Sequence, residues 1–118
     1  RIRQVLLNLL RNAVQAVGDA GAITVTVQRG HLSAPGRSGA RAVDVVVRDD
    51  GPGIEPELLD KLFIPFFTTR RDGTGLGLPI SQRLVEAHGG ELAVRTETGT
   101  GSVFTMRLPV DIGITVRV

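Results

Sequence analysis

Ile2, Val5, Leu6, Leu9, Leu10, Ala13 and Val17 recur at three- and four-residue intervals, the period of a helix with one apolar stripe. This predicts a helix over 2–17, ended by Gly18-Asp19-Ala20-Gly21. From residue 22 to 29 the period shortens to two, as in a strand, and residues 30–41, rich in Gly, Ser and Pro, read as a loop. A second strand covers 42–48, its run Val45-Val46-Val47 leading into Asp49. Pro56 to Phe63 suits a short helix, with Pro early and Glu55 and Glu57 near its start. Residues 68–76 are polar and Gly-containing and read as a mobile loop. A helix follows over 77–88, stopped by Gly89-Gly90. Strands over 91–97 and 102–108 are joined by Thr98-Gly99-Thr100-Gly101. The order is α-β-β-α-α-β-β. Directly joined strands at each end favour hairpins, hence a mixed, mostly antiparallel sheet with helices on one face. The tail 110–118 alternates after Gly113 and reads as an extra strand or a linker.

Composition narrows the function classes. The 118 residues suffice for one domain with a modest core. No apolar run approaches the ~20 residues of a membrane span, so direct membrane contact is not expected. The chain has no cysteine, which excludes disulfides and thiolate metal sites and fits a cytoplasmic origin. Net charge is only +2, and of the 14 basic residues only Lys61 is a lysine. The arginines are scattered and the aromatics are four Phe. Nucleic-acid binding favours clustered basic residues with stacking aromatics, so it is not expected. The opening Arg1-Ile2-Arg3-Gln4 runs straight into a helix, which predicts a piece of a longer protein.

Two glycine-rich turns carry the strongest chemical signal. Asp49-Asp50-Gly51-Pro52-Gly53 follows a buried-looking strand, and Gly73-Thr74-Gly75-Leu76-Gly77 opens a helix. Such turns let backbone N–H groups approach a phosphate or a base. A carboxylate at Asp49 can accept from an adenine amino group, with Gly51 and Gly53 beneath the ring. The alternative is a plain Asp-Gly turn. Asp50 is a built-in control, since it should point the other way. The second turn is neither a dinucleotide fingerprint nor a Walker A loop. It does precede a helix whose first N–H groups can meet phosphate, with Arg70 and Arg71 upstream as either phosphate contacts or solvated loop residues. Asn8 and Asn12 share one face of the first helix, and an amide oxygen suits a magnesium ion that already carries phosphates. A merely solvated face is the competing explanation. Phe63, Phe66 and Phe67 read as core or as a hinge docking the loop. His31 and His88 read as structural or solvent-facing.

Together these pieces resemble the catalytic and ATP-binding domain of sensor histidine kinases, within the gyrase, Hsp90, histidine kinase and MutL superfamily. Gln4 to Ala13, with Asn8 and Asn12, resembles the N box. Asp49-x-Gly51-x-Gly53 resembles the first glycine box, Phe63-x-Pro65-Phe66-Phe67 the F box, and Gly73-x-Gly75-x-Gly77-Leu78 the second glycine box. Gly99-Thr100-Gly101-Ser102-Val103-Phe104 resembles the last shared turn. The match runs from residue 2 to about 109, in the family's order.

The resemblance implies a Bergerat-type two-layer α/β sandwich over 1–109, lacking its first strand. It places Mg²⁺ on Asn12 and Asn8, the adenine amino group on Asp49, and an ATP lid over 68–76. Further nucleotide contacts are implied at Gln15, Gly51, Gly53, Ile54, Phe63, Phe67, Thr68, Thr69, Arg70, Gly73, Thr74, Gly75, Leu76, Gly77, Leu78, Thr100 and Thr105. Asn8, Asn12 and Arg70 are the implied catalytic residues. The lid resembles the nitrogen-regulation type. Gln15 stands where many relatives carry a basic residue, which puts a phosphate contact there in doubt, and Ala16 stands where some place Tyr. The implied partners are a dimerisation domain with the phospho-accepting histidine, absent from this sequence, and a response regulator.

The implied reaction is attack of that histidine on the γ-phosphate of ATP, with this domain holding Mg-ATP. ATP-hydrolysing relatives place a Glu one turn before the N-box Asn. Asn8 occupies that position and cannot act as a base. This residue separates the kinase module from a hydrolytic machine. A nucleotide-binding regulator without transfer is the third alternative.

Overall fold

The computed structural model describes residues 1–67 and 77–110. Helix α1 (Ile2–Val17) is followed by strands β1 (Ile23–His31) and β2 (Arg41–Asp49), a single-turn helix α2 (Pro56–Leu59), helix α3 (Gly77–Ala87), and strands β3 (Glu91–Glu97) and β4 (Gly101–Pro109). The four strands form one sheet in the order β1-β2-β4-β3, and all three pairings are antiparallel. The two hairpins therefore lie side by side, joined where β2 meets β4. Asp49 pairs with Ser102 and Val47 with Phe104.

One face of the sheet is covered by helices. Val5, Leu9 and Ala13 of α1 and Val85 of α3 pack with Val45, Val47, Phe104 and Met106 into a single core. Leu9 is fully buried, so its truncation to Ala should cost about 2–5 kcal/mol. The i, i+4, i+8 spacing of Val5, Leu9 and Ala13 puts all three on this stripe. Alternation along β2 and β4 sends Asp44, Val46 and Arg48, with Val103, Thr105 and Arg107, to the opposite face, where they line a groove of about 240 Å³. The expected sandwich of helices on one side of an antiparallel sheet is thus observed.

Two elements depart most from the sequence expectation. Strand β1 continues through Gly30 to His31. Gly30 pairs with Ala42 in the ladder, and it is glycine because a Cβ there would run into the Asp44 carboxylate of the paired strand. The helix expected over 56–63 stops at Leu59. Beyond it the N–H groups of Lys61, Leu62, Ile64 and Phe67 each bond three residues back, a run of tight turns. Pro65 contributes by steering Ile64 out of the helical region. At the far end, the Val110 N–H donates to Arg41 O at 3.1 Å. The expectation for the rest of the tail lies outside the described residues. Among the described residues no helix is long and apolar enough to cross a membrane.

Candidate nucleotide site

The site is built where the C-terminal ends of α1 and β2 meet the β3–β4 hairpin. Asp49 is the last residue of β2 and is 4% exposed, on the helix-covered face. Its Oδ1 accepts the Gly51 N–H at 3.0 Å. A carboxylate offers about four acceptor positions, and among the described residues the Gly51 N–H fills one of them. Asp50 behaves as the control requires, its Oδ1 accepting the Ala22 N–H at 2.7 Å on the β1 side.

The loop after Asp49 is stitched to the β3–β4 hairpin. Gly99 N–H donates to Pro52 O at 2.6 Å, and Ile54 N–H donates to Thr96 Oγ1 at 2.7 Å. Gly53 has φ +78°, and a Cβ on it would stand 2.5 Å from Glu97 O. Gly101 has φ +132°, and its Cβ would collide with Asp49 O. Both positions therefore require glycine, on conformation and on space. Gly51 closes the other side, where a Cβ would lie 2.8 Å from Ala16 O of α1. The first glycine turn is thus clasped between the end of α1 and the hairpin.

Asn8 and Asn12 are half-buried on α1. Asn8 Nδ2 donates to Ser81 Oγ at 3.1 Å and reaches Gly77 O at 3.5 Å. This holds the amide nitrogen toward the start of α3 and turns the carbonyl oxygen away from it. Ser81 is fully buried. A neutral oxygen in that position suits a hard cation that brings its own phosphate ligands. Among the described residues no three His, Cys, Asp or Glu side chains cluster as a metal site of their own.

The structure brings Asp49, Gly51, Gly53 and Ile54 together, with exposed Thr100 at the adjoining hairpin tip. Gly77 and Leu78 open α3 beside Asn8, and Gln15 is exposed on the last turn of α1. Phe63 and Phe67 are half-buried, with Lys61 Nζ 5.9 Å from the Phe67 ring centroid. Phe66 is 74% exposed at φ +69°, so it is not core. Thr68, Thr69, Arg70, Gly73, Thr74, Gly75 and Leu76 lie outside the described residues. Thr105, expected at the nucleotide, does not join this group. Its neighbours Phe104 and Met106 point into the core, so it faces the open groove on the other side of the sheet from Asp49. The motifs do not single out Ser81, Thr96 or Ser102 for chemistry. Their signal was polar character at core-facing positions, as in Leu92-x-Val94-x-Thr96.

The sequence profile of the histidine kinase-, DNA gyrase B- and HSP90-like ATPases matches residues 1–112. The chain belongs to this ATPase family. Within the family it is 47% identical over 112 residues to the sensor histidine kinase ZraS of Escherichia coli K12, covering 95% of this chain and 22% of that protein. It is 42% identical over 110 residues to the histidine-protein kinase AtoS of the same strain, covering 93% and 17%. The chain therefore spans about a fifth of the length of these curated relatives. The catalytic domain of histidine kinase ThkA superposes with a TM-score of 0.74 at 39% identity, over 92% of this chain and 65% of that one. Full-length ShkA, solved in complex with AMPPNP, gives 0.72 at 37% identity, over 92% and 21%.

Proposed function

We propose that this domain binds ATP with Mg²⁺ and presents the γ-phosphate to a histidine carried by a separate phosphoacceptor domain, as the catalytic module of a sensor histidine kinase. The observation that carries the reading is Asp49, a buried carboxylate held open on the helix-covered face and clasped by a glycine turn. It is suited to accept from the adenine amino group. Asn12 and Asn8 would hold the cation through amide oxygens, and Arg70 and the glycine turn at 73–77 would line the phosphates. The bound Mg²⁺ would neutralise charge on the phosphates.

In this reaction the histidine nitrogen forms a bond to the γ-phosphorus while the bond to the bridging oxygen breaks, releasing ADP. The domain contributes position and charge stabilisation, the principal demands of phosphoryl transfer. Hydrolysis is disfavoured because Asn8 has no basic atom and its amide nitrogen is committed to Ser81. The downstream partner would be a response regulator, and the module would work in the cytoplasm.

Titration of ATP with and without Mg²⁺ tests this. The wild type should bind Mg-ATP more tightly than ATP alone, and Asn12→Ala should erase that difference. The domain alone should turn over ATP negligibly. Steady turnover without a partner would contradict the kinase reading.

A further inference from the structure

Thr96 Oγ1 touches three groups at once. It accepts Ile54 N–H at 2.7 Å, lies 3.1 Å from Gly101 O, and lies 3.2 Å from Ser102 Oγ. A hydroxyl has one proton and two lone pairs. All three contacts are satisfied together in one arrangement only. Ile54 N–H and the Ser102 hydroxyl fill the two lone pairs, and the Thr96 proton goes to Gly101 O, which cannot donate. The Ser102 proton is thereby committed to Thr96, and its oxygen is left as an acceptor.

Ser102 is 5% exposed and is the direct cross-strand partner of Asp49 on the same face. Directly opposed residues bring their side chains within about 5 Å. Two acceptors, the Asp49 carboxylate and the Ser102 oxygen, then stand side by side at the end of the sheet. Such a pair suits an exocyclic amino group, which has two N–H bonds, and repels a carbonyl oxygen, which has none.

We infer that Thr96 is a positioning residue for base selection: by taking the Ser102 proton it makes Ser102 an acceptor, and the pair with Asp49 selects an amino-purine over a keto-purine. This rests on the nucleotide reading above. The selectivity belongs to a hydroxyl that need not touch the ligand. Without it the Ser102 proton is free to donate, and the site can accommodate a carbonyl oxygen at the same position.

The test compares ADP with IDP, which differ by amino against carbonyl at one ring position, on the full chain by calorimetry. The wild type should prefer ADP. Thr96→Val should lower the ADP-to-IDP affinity ratio by about tenfold, the scale of one hydrogen bond. Thr96→Ser, which keeps the hydroxyl, should retain the wild-type ratio. A purely structural role would weaken both nucleotides equally and leave the ratio unchanged, which overturns the inference. Ser102→Ala keeps Thr96 and gives a second route should Thr96→Val not fold. It too should lower the ratio, and an unchanged ratio overturns the inference. A wild type that binds neither nucleotide overturns the nucleotide reading itself, whereas binding with an unaltered ratio in the variants overturns only the role of Thr96.

Discussion

Asp44 and Asp49 are the same residue type on the same strand, at 5% and 4% exposure. They lie five positions apart and therefore on opposite faces of the sheet. Asp44 is closed off. Arg107 donates to it through two nitrogens, Nε at 2.8 Å and a terminal nitrogen at 3.1 Å, and Glu91 lies 3.5 Å from the same guanidinium. Asp49 has the Gly51 N–H and, among the described residues, no cation within ion-pair distance. A buried carboxylate is costly unless it is paired. On the open face the cost is met within the fold. On the helix-covered face, in the proposed nucleotide reading, a ligand would meet it. Burial alone thus does not mark a site; burial with unused acceptor capacity does.

Breaking the two environments should give effects of different kind and size. Gly101→Ala strikes the backbone behind Asp49, forcing a Cβ into Asp49 O at a φ that side chains rarely adopt. It should cost about 3 kcal/mol or more in stability and abolish nucleotide binding, read by thermal melt and calorimetry. Asp44→Asn leaves the Arg107 guanidinium without its bidentate partner and should cost about 2 kcal/mol. Nucleotide affinity of the folded protein should be unchanged, because the loss is confined to the other face. If affinity fell in step with stability, the two faces would not be independent.

The smallest effect concerns Glu91, whose own burial opposes ionisation but is outweighed. Hydrogen bonds from the Ser33 hydroxyl, the Ala34 N–H and the Ser33 N–H, with the charge of Arg107, hold its carboxyl below the usual value of 4.5. A carboxyl with a lowered folded-state pKa contributes stability above the unfolded value and loses it as pH falls through the folded one. The stability gap between wild type and Glu91→Gln should therefore be full near neutral pH and shrink below about pH 4.5. A gap that widened on acidification would contradict the assignment. Arg107, held above its ordinary value first by its hydrogen bond to Asp44, stays charged throughout.

Much of this was legible in the residues. The 3.6 and 2.0 periods place α1, α3 and all four strands, and Asp49, Gly51 and Gly53 stand together where their motif implies. Asp50 points away, as strand alternation requires. Asp44 was not legible, because its partner Arg107 is 63 residues away and Gly30, which makes room for its carboxylate, reads as a loop residue. Thr105 went wrong although parity could have settled it, since Phe104 and Met106 on either side are core residues. The α2 region failed because local turn bonds and Pro65 compete with helical propensity over the same few residues. Thr96 and Ser102 gain meaning only once the register sets Ser102 opposite Asp49.

In the proposed function Asp49 is the base-reading carboxylate, and ADP titration of Asp49→Asn against wild type is the decisive experiment. The substitution keeps the shape and the oxygen that accepts from Gly51 but removes the charge. ADP affinity should fall by roughly 10- to 100-fold, the range for a hydrogen bond to a charged group, with a melting temperature close to that of the wild type. Undiminished ADP affinity in a folded Asp49→Asn protein would contradict that role.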